Sequence, residues 1–548
     1  MRAGRFGVTR SAPRAAEGAG SLELARLIEG LAIRVLAGDP RGVRVCDLTE
    51  DSRTAVPGSL FMARRGTCSD GKRFAIDAVR AGACAVLVDE PVLPAGLPPE
   101  GPGAVVVFAE DAPRTIARLS ERFFGEPASR LAMIGVTGTN GKSTIAHLVH
   151  RLTRAQLVRC GLIGTVEIDD GREVARASLT TPAAIELSRT LAQMVEHGCR
   201  ACVMETSSHA LSQGRVAGAS FRVAVFTNLT GDHLDYHGTM ENYAAAKAVL
   251  FEGLDPGALA VVNADSPWSE RMVRDCRARI VRCAAESGAG SRRADATWHI
   301  VRLLTGQGEE GMELRLRGAW GERTLRTRLV GEHNAINILQ ALCVTHEIAE
   351  EIGLDRDELW RSAARMNPPA GRLEGVSIPG DDVAVFVDYA HTDDALANVL
   401  RSVRPLAEAR RAGLCVVFGC GGDRDRTKRP RMGRVAAELA DRVVVTSDNP
   451  RSEPPSRIIS EIIAGIEAPH RGHILVHADR AHAIREAIMG AAPGEVIVIA
   501  GKGHETEQVF VDASGALVQA HFDDREAAKD ALRDRRAAAA RGQSPARP

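Results

Sequence analysis

The chain has 548 residues, 70 of them basic and 70 acidic, with 45% hydrophobic and 26% charged residues. That length implies about three domains, and a formal charge of zero leaves no global basic field for a nucleic-acid backbone or an anionic membrane. No run approaches the ~20 apolar residues of a membrane span, and the first thirty residues lack the apolar centre of a secretory signal. A cytoplasmic protein with no nucleic acid and no membrane as partner is therefore expected.

In chain order, residues 1–24 and 533–548 share an Arg/Ala/Pro composition and are expected to be a disordered extension and tail. Between them, short apolar runs at 59–63, 83–88 and 104–108, separated by Gly- and Pro-containing turns, predict a small α/β domain over 25–127. The run at 131–136 opens a second domain over 128–367. Strand-like runs at 202–204, 223–226 and 259–262 alternate there with helical stretches at 143–153 and 185–196, which implies a mostly parallel sheet covered by helices. A third series of runs, at 383–387, 415–418, 443–446 and 496–499, follows the Pro- and Gly-containing linker near 366–375 and predicts a Rossmann-like domain over 368–532.

Eleven cysteines lie scattered with no dense framework, and Cys199 and Cys202 form one C-x-x-C. With no second ligand pair and no thioredoxin-like context, they read as ordinary buried thiols. Only six of the 70 basic residues are lysine, namely Lys72, Lys142, Lys247, Lys428, Lys502 and Lys529. A guanidinium does not readily replace a compact ammonium or a carbamate-forming amine, so these survivors attract attention.

The segment 131–144, LAMIGVTGTNGKST, reads as strand, glycine-rich turn and helix start. Such a turn lets backbone N–H groups converge on phosphate oxygens, with Lys142 reaching the terminal phosphates and Ser143 or Thr144 available to Mg²⁺. Val136 stands where the usual spacing has glycine, so the tighter Gly138-x-x-Gly141-Lys142-Ser143 is a variant form. Two clusters, METSSH (204–209) and TNLTGDHLD (227–235), follow predicted strands, where ligands bind in open α/β sheets. Glu205 and His233 are thus candidate Mg²⁺ ligands beside a nucleotide, while His209 and His237 suit structural and catalytic roles equally well. Lys247, on a helix just after these clusters, could carry a carbamate, since CO₂ adds to a neutral amine and turns the side chain into an anionic oxygen ligand.

Taken together and in this order, the motifs resemble the Mur ligases over roughly residues 43–530, and among them the tripeptide-synthetase type. The resemblance implies an ATP- and Mg²⁺-dependent enzyme that joins an amino acid to UDP-N-acetylmuramoyl-L-alanyl-D-glutamate through an acyl phosphate. The three domains would then bind UDP, hydrolyse ATP on a P-loop sheet, and present the amino acid, in that order. Gly138, Thr139, Asn140, Gly141, Lys142, Ser143 and Thr144 would bind the ATP phosphates. Asn334 and Asn337 in GEHNAIN, Arg372 in GRLE, and Asp388 and His391 in VDYAH would complete the ATP site. Ser143, Glu205, His233 and Lys247 would hold the metal, with Lys142, Lys247 and His233 catalytic.

By the same resemblance, Ser52 and the loop Thr67, Cys68 and Ser69 would bind UDP, and Thr180, Thr181, Ser207, Gln213 and Arg215 the muramoyl-peptide. Arg424, Asp448, Asn449, Pro450, Arg451, Gly501 and Glu505 look like the form that takes meso-diaminopimelate. That amino acid keeps a carboxylate and an ammonium at its far end, which two guanidinium forks and Glu505 would suit. The chain is expected to act as a monomer. Two residues depart from the family pattern: Asp393 stands for a usual proline, and Glu50 for an apolar residue. Rival readings are the lysine-adding ligase, which would make poor use of the two arginines, and folylpolyglutamate synthase, which would not need the N-terminal loops. From another class, a motor would need repeats, a nucleic-acid surface or oligomer contacts, which the neutral sequence does not suggest, and a catalytically dead UDP-sugar binder would be expected to lack Lys142, Glu205 or Lys247, all of which are present.

Overall fold

The computed structural model describes residues 20–66, 70–97, 103–306, 309–467, 474–512 and 514–541. Its first domain is a five-stranded sheet in the order Ile33–Ala37, Val105–Ala109, Ala85–Val88, Ser59–Ala63, Asp47–Thr49, antiparallel only at the first pairing. The strand Ser59–Ala63 is apolar almost throughout because both of its faces are covered: Leu60 and Met62 enter one core, Phe61 and Ala63 the other.

The second domain carries an eleven-stranded sheet. Its centre is parallel, in the order Cys160–Ile163, Ala201–Glu205, Ala132–Thr137, Val223–Phe226, Leu259–Asn263, Arg279–Ala285. Helices Lys142–Arg154 and Glu332–Ile352 cover one face, Ala184–Glu196 and Met240–Glu252 the other. The expected mostly parallel sheet is there, extended at both edges by strands that the run-based reading passed over: the antiparallel pair Glu167–Asp169 with Val174–Arg176, and Ala296–Gly306, which joins Arg279–Ala285 in parallel and opens an antiparallel meander with Glu309–Gly318 and Gly321–Thr327. The meander strand alternates buried Met312, Leu314 and Leu316 with charged residues, so it has a two-residue period and no apolar run.

The third domain is a six-stranded sheet, Glu374–Gly375, Ala384–Asp388, Val496–Ala500, Leu414–Phe418, Arg442–Val445, Ile474–Val476, parallel except at the first pairing. A ribbon of Glu507–Val511 and Leu517–His521 lies beside it. The expected tail from 533 is corrected here for its first residues: helix Asp524–Ala540 continues into it as far as Ala540. Arg535 is buried and holds Asp382 at 2.6–2.7 Å and the Ile488 carbonyl at 2.8 Å, contacts that compensate the cost of ordering the helix end. At the other end Leu22–Glu23 pairs with Arg44–Val45 and Leu24 is fully buried, so order begins before residue 25. Residues 1–19 and 542–548 of the expected extensions lie outside the described residues.

Cys199 and Cys202 are free and buried, and burial pushes the Cys199 thiol up to about 11 and Cys202 well above its ordinary value. They are the packed thiols expected of them. Asp393 begins the helix Asp393–Ala409, just after Thr392, whose side chain accepts from the Ala395 N–H. Proline is common at that first helical position because no N–H bond is lost there; an acid is favoured there by the helix dipole, and Asp393 also meets Arg431 at 3.0 Å.

Candidate active site

The carboxyl ends of the central strands of the second domain face those of the third across a cavity of about 1040 Å³. After strand Ala132–Thr137 the chain turns through Gly138 and Gly141, both at positive φ, into helix Lys142–Arg154. Neither glycine can take a side chain, since a Cβ would lie 1.9 Å from Thr227 Oγ1 at Gly138 and 2.7 Å from Asn337 Oδ1 at Gly141. The turn is pinned by Asn228, which accepts from the Asn140 N–H at 3.0 Å and donates to the Asn140 carbonyl at 3.1 Å.

Two lysines meet at this turn. Lys142 Nζ donates to the carbonyls of Gly138 and Thr139 at 3.1 and 2.8 Å, and Lys247 Nζ to the Gly138 carbonyl at 2.9 Å. Lys247 is 1% exposed, and its ammonium sits 4.6 Å from the ring centroid of Tyr243, one helical turn earlier. Burial drives both ammonium groups below their ordinary range, Lys247 farther because Lys142 repels it. Among the described residues neither lysine has a carboxylate within 4 Å.

Glu205, at the end of its strand, is fully buried and accepts from the Thr165 N–H at 2.8 Å and the Thr165 hydroxyl at 3.1 Å. His233 lies across the cavity, with backbone φ of 53°, a left-handed conformation a bulky residue holds only where its surroundings impose it. Its backbone N–H donates to Asp232 Oδ1 at 2.9 Å. His209 stacks edge-on to His233 and His237 donates to or accepts from Ser208 at 3.0 Å, both rings held below their ordinary pKa first by burial. Glu205, His233, Ser143 and Lys247 all line the cavity without forming a closed cage. That donor set suits a hard divalent cation that brings most of its oxygens from a polyphosphate and water.

The third domain supplies the opposite wall. Arg372 reaches Ser143 Oγ at 3.4 Å, stacks 4.8 Å over Tyr389, and leaves its buried Nε without a hydrogen bond. Asp388 accepts from the N–H groups of Leu373 and Ala390 at 2.7 and 2.8 Å, so its carboxylate braces the linker as well as lining the cavity. His391 lines it too, its carbonyl accepting from Lys428 at 2.8 Å. Asn334 and Asn337 project from the first turns of Glu332–Ile352, Asn334 donating to the Val330 carbonyl at 2.9 Å. Every residue expected at the nucleotide, Gly138 through Thr144 included, therefore meets at this one cavity. Asn228, Asp232 and Tyr389, inside the quoted motifs but not singled out there, join them, as do Thr165 and Tyr243, although the Tyr243–Lys247 spacing of four would have put both on one helix face.

A hydrogen-bonded line runs from Glu205 toward the first domain. Thr165 meets Thr180 at 3.1 Å, Thr181 donates to the Glu205 carbonyl at 2.8 Å and to Ser207 at 3.3 Å, and Arg215 donates to the Thr181 carbonyl at 2.8 Å and to Gln213 at 2.7 Å. Arg215 lies within the field of Arg64 and Glu50 of the first domain, an ion pair that accounts for the acid at position 50. Ser52 lies on a short turn after Asp51, whose side chain caps it and binds Arg53 at 2.7 Å. Thr67, Cys68 and Ser69 lie outside the described residues.

The expected amino-acid residues gather apart from the cavity, in the third domain. Asn449 donates to Glu505 at 2.9 Å; Arg451, also at positive φ, donates to the Gly422 carbonyl at 2.7 Å. A Cβ on Gly421 would lie 3.0 Å from Arg451 Nη1 and 3.7 Å from Arg424 Cγ, so both arginines flank that glycine, Arg424 exposed. The Pro450 carbonyl packs on Gly422, and Gly501 comes near Asp448 at a φ of 118°. Lys502, fully buried, ties the group together through Asn449 at 3.3 Å, Glu505 at 3.4 Å and the Glu507 carbonyl at 2.5 Å.

Residues 136–345 match the Mur ligase middle domain and 371–503 the Mur ligase glutamate ligase domain. The UDP-N-acetylmuramoyl-L-alanyl-D-glutamate--2,6-diaminopimelate ligase of Synechococcus elongatus is 42% identical over 494 residues, which is 90% of this chain and 95% of that protein. This chain belongs to the Mur ligase family. The protein of the same name from Gloeobacter violaceus is 42% identical over 496 residues, again 90% of this chain and 95% of that one. A solved structure of a ligase of that name superposes with a TM-score of 0.67 at 31% identity, covering 94% of this chain and all of the other. This Mur ligase is built of three α/β units, as expected, and the glycine-rich turn lies between the second and third. No described helix is long and apolar enough to cross a membrane.

Proposed function

We propose that this Mur ligase is an ATP-dependent amide ligase that adds meso-2,6-diaminopimelate to UDP-N-acetylmuramoyl-L-alanyl-D-glutamate in peptidoglycan precursor synthesis. The observation that carries the reading is the line of contacts that runs from Arg215 to the Thr181 carbonyl and from the Thr181 hydroxyl to the Glu205 carbonyl, with Ser207 beside Thr181 and Thr165 on the Glu205 carboxylate, in the cavity where two buried lysines meet backbone carbonyls. Such a line suits a long substrate whose uridine end rests on the first domain and whose D-glutamate carboxylate arrives beside the lysines.

ATP fits the turn at Gly138–Thr144, where Lys142 would face the terminal phosphates. A Mg²⁺ ion, held by Glu205, His233 and Ser143 with the phosphates, would neutralise charge as the phosphoryl group moves. The D-glutamate γ-carboxylate oxygen attacks the γ-phosphorus, ADP leaves, and Lys142 and Arg372 stabilise the negative charge on the transferring oxygens. The amine of the incoming amino acid then attacks the acyl carbon, phosphate departs with the electron pair, and the amine loses its proton. Lys247, buried and pushed toward the neutral amine, is suited to carbamate formation, which would give the site an anionic oxygen. Asn449, Glu505, Arg451 and Arg424 are suited to the distal ammonium and carboxylate of meso-diaminopimelate. The reaction belongs in the cytoplasm, and one chain, carrying all three domains, suffices as a monomer.

Phosphate release from Mg-ATP, measured with the UDP-linked dipeptide and either meso-diaminopimelate or L-lysine, tests the assignment. A tripeptide product of the expected mass with meso-diaminopimelate alone is the expected result; preference for lysine would overturn the pocket, and no product with either the whole reading.

A further inference from the structure

The third domain carries a cluster of metal-ligating side chains on the helix side of its edge strand, outside the nucleotide cavity and the amino-acid pocket. Strand Ile474–Val476 delivers His477, whose N–H bonds the Val445 carbonyl at 3.1 Å and so fixes its position at the sheet edge. Three residues later helix Arg480–Met489 begins, and the four-residue spacing of His482 and Glu486 stacks their side chains on one face of it, above His477. One ligand atom from each of the three lies within 4.8 Å of the others.

The contacts among them are not those of a settled hydrogen-bonded group. Glu486 Oε2 is approached by the Nε2 atoms of both imidazoles, at 3.6 Å from His482 and in close contact with His477, yet it is buried and has no hydrogen-bond partner of acceptable geometry. The two imidazole rings pack edge to face with centroids 4.8 Å apart, holding both Nε2 atoms toward the same carboxylate oxygen. Two imidazoles and a carboxylate converging on one point form a nitrogen-rich set that prefers a borderline transition ion over Mg²⁺ or Ca²⁺, which favour oxygen. The partial exposure of all three leaves further coordination positions to water.

We propose that His477, His482 and Glu486 bind one divalent transition ion of the Zn²⁺ class. The ion would clamp the end of the edge strand to the helix through two of its successive turns. That helix begins with Arg480, which is fully buried, pairs with Asp524 at 2.6–2.7 Å, and donates to the carbonyls of Ser447 and Ala500 at 3.1 and 2.9 Å. Those carbonyls immediately precede Asp448 and Gly501, so the clamp would brace the base of the amino-acid pocket. The site is distinct from the Mg²⁺ site in both ligands and position.

Co²⁺ titrated into the full-length chain, freed of metal by chelator and dialysis and without nucleotide, tests this through its visible absorption and through the rise in thermal midpoint on adding Zn²⁺. The expected result is one equivalent bound, weakened at least tenfold in each of His477→Ala, His482→Ala and Glu486→Gln, with the Zn²⁺-induced rise lost and the metal-free midpoint of Glu486→Gln close to that of the unaltered chain. No binding, or binding that survives in His477→Ala/His482→Ala, overturns the proposal. The second outcome would assign the ion to other groups.

Discussion

The nucleotide cavity and the amino-acid pocket both centre on a buried lysine, but the two lysines are held differently. Among the described residues Lys142 and Lys247 meet backbone carbonyls and an aromatic ring, whereas Lys502 is engaged by Asn449, Glu505, Asp448 and the Glu507 carbonyl. A buried cation without an anion is costly unless its site is completed by something else. The first pair thus marks where a ligand's negative charge belongs, while Lys502 is part of the frame that shapes a pocket. Position on the chain alone would not distinguish Lys142 from Lys502, since each directly follows a glycine just after a strand end.

The sharpest way to break that comparison is Lys142→Met, which should lower phosphate release by about 10³-fold while the thermal midpoint stays level or rises, because a desolvated charge is removed. A large fall in stability would mean that Lys142 is a frame residue after all. Lys247→Ala should lose about 10²-fold, and bicarbonate cannot help a missing amine, whereas short carboxylates diffusing into the gap should restore part of the rate. Activity close to that of the unaltered chain would remove the carbamate from the mechanism.

Lys502→Met tests the other side. It strands Asp448 and Glu505 around a vacated ammonium, and a loss of about 3 kcal/mol in stability is expected, read by urea unfolding. If stability holds while only turnover falls, Lys502 belongs with the ligand-facing lysines. Arg451→Ala should be milder, raising the KM for meso-diaminopimelate about tenfold with the KM for ATP unchanged; an equal rise in both would detach Arg451 from the amino acid.

The same contrast explains what could be read from the residues in order. The phosphate turn was legible because its strand, glycines, lysine and hydroxyls are contiguous, and the backbone makes the site. Strands buried on both faces, such as Val496–Ala500, were legible as continuous apolar runs. The meander from Ala296 to Thr327 was not, because polar and charged residues alternate with its buried ones and leave no apolar run, and its antiparallel partners are its own neighbouring strands. Asn228 and Thr165 were unmarked for a related reason: each acts through a backbone or carboxylate partner dozens of residues away, at Asn140 and Glu205. The departures at Asp393 and Glu50 became intelligible only when Arg431 and Arg64 were seen beside them. The part of helix Asp524–Ala540 from residue 533 looked like tail because its Arg/Ala composition conceals the two arginines, Arg535 and Arg536, that anchor it to Asp382 and Asp381.

The smallest expected effect lies where cavity and pocket adjoin. His504 stands beside Glu505, stacks on Tyr389 at 5.1 Å, and has a buried Nδ1 with no hydrogen-bond partner. Burial first, and then the nearby Arg372 and Arg525, push its pKa from the ordinary 6.5 down to about 4. The folded chain therefore keeps this ring neutral while the unfolded chain protonates it, so the stability tied to it is complete above pH 6.5 and declines as pH falls toward 4. In His504→Gln that share of the pH dependence should vanish. Thermal midpoints at pH 7.5 and pH 5 should then differ by roughly 2 °C less than in the unaltered chain. An unchanged difference would mean that the ring takes its proton in the folded state, and that the junction between cavity and pocket tolerates a third cation beside Arg372 and Arg525.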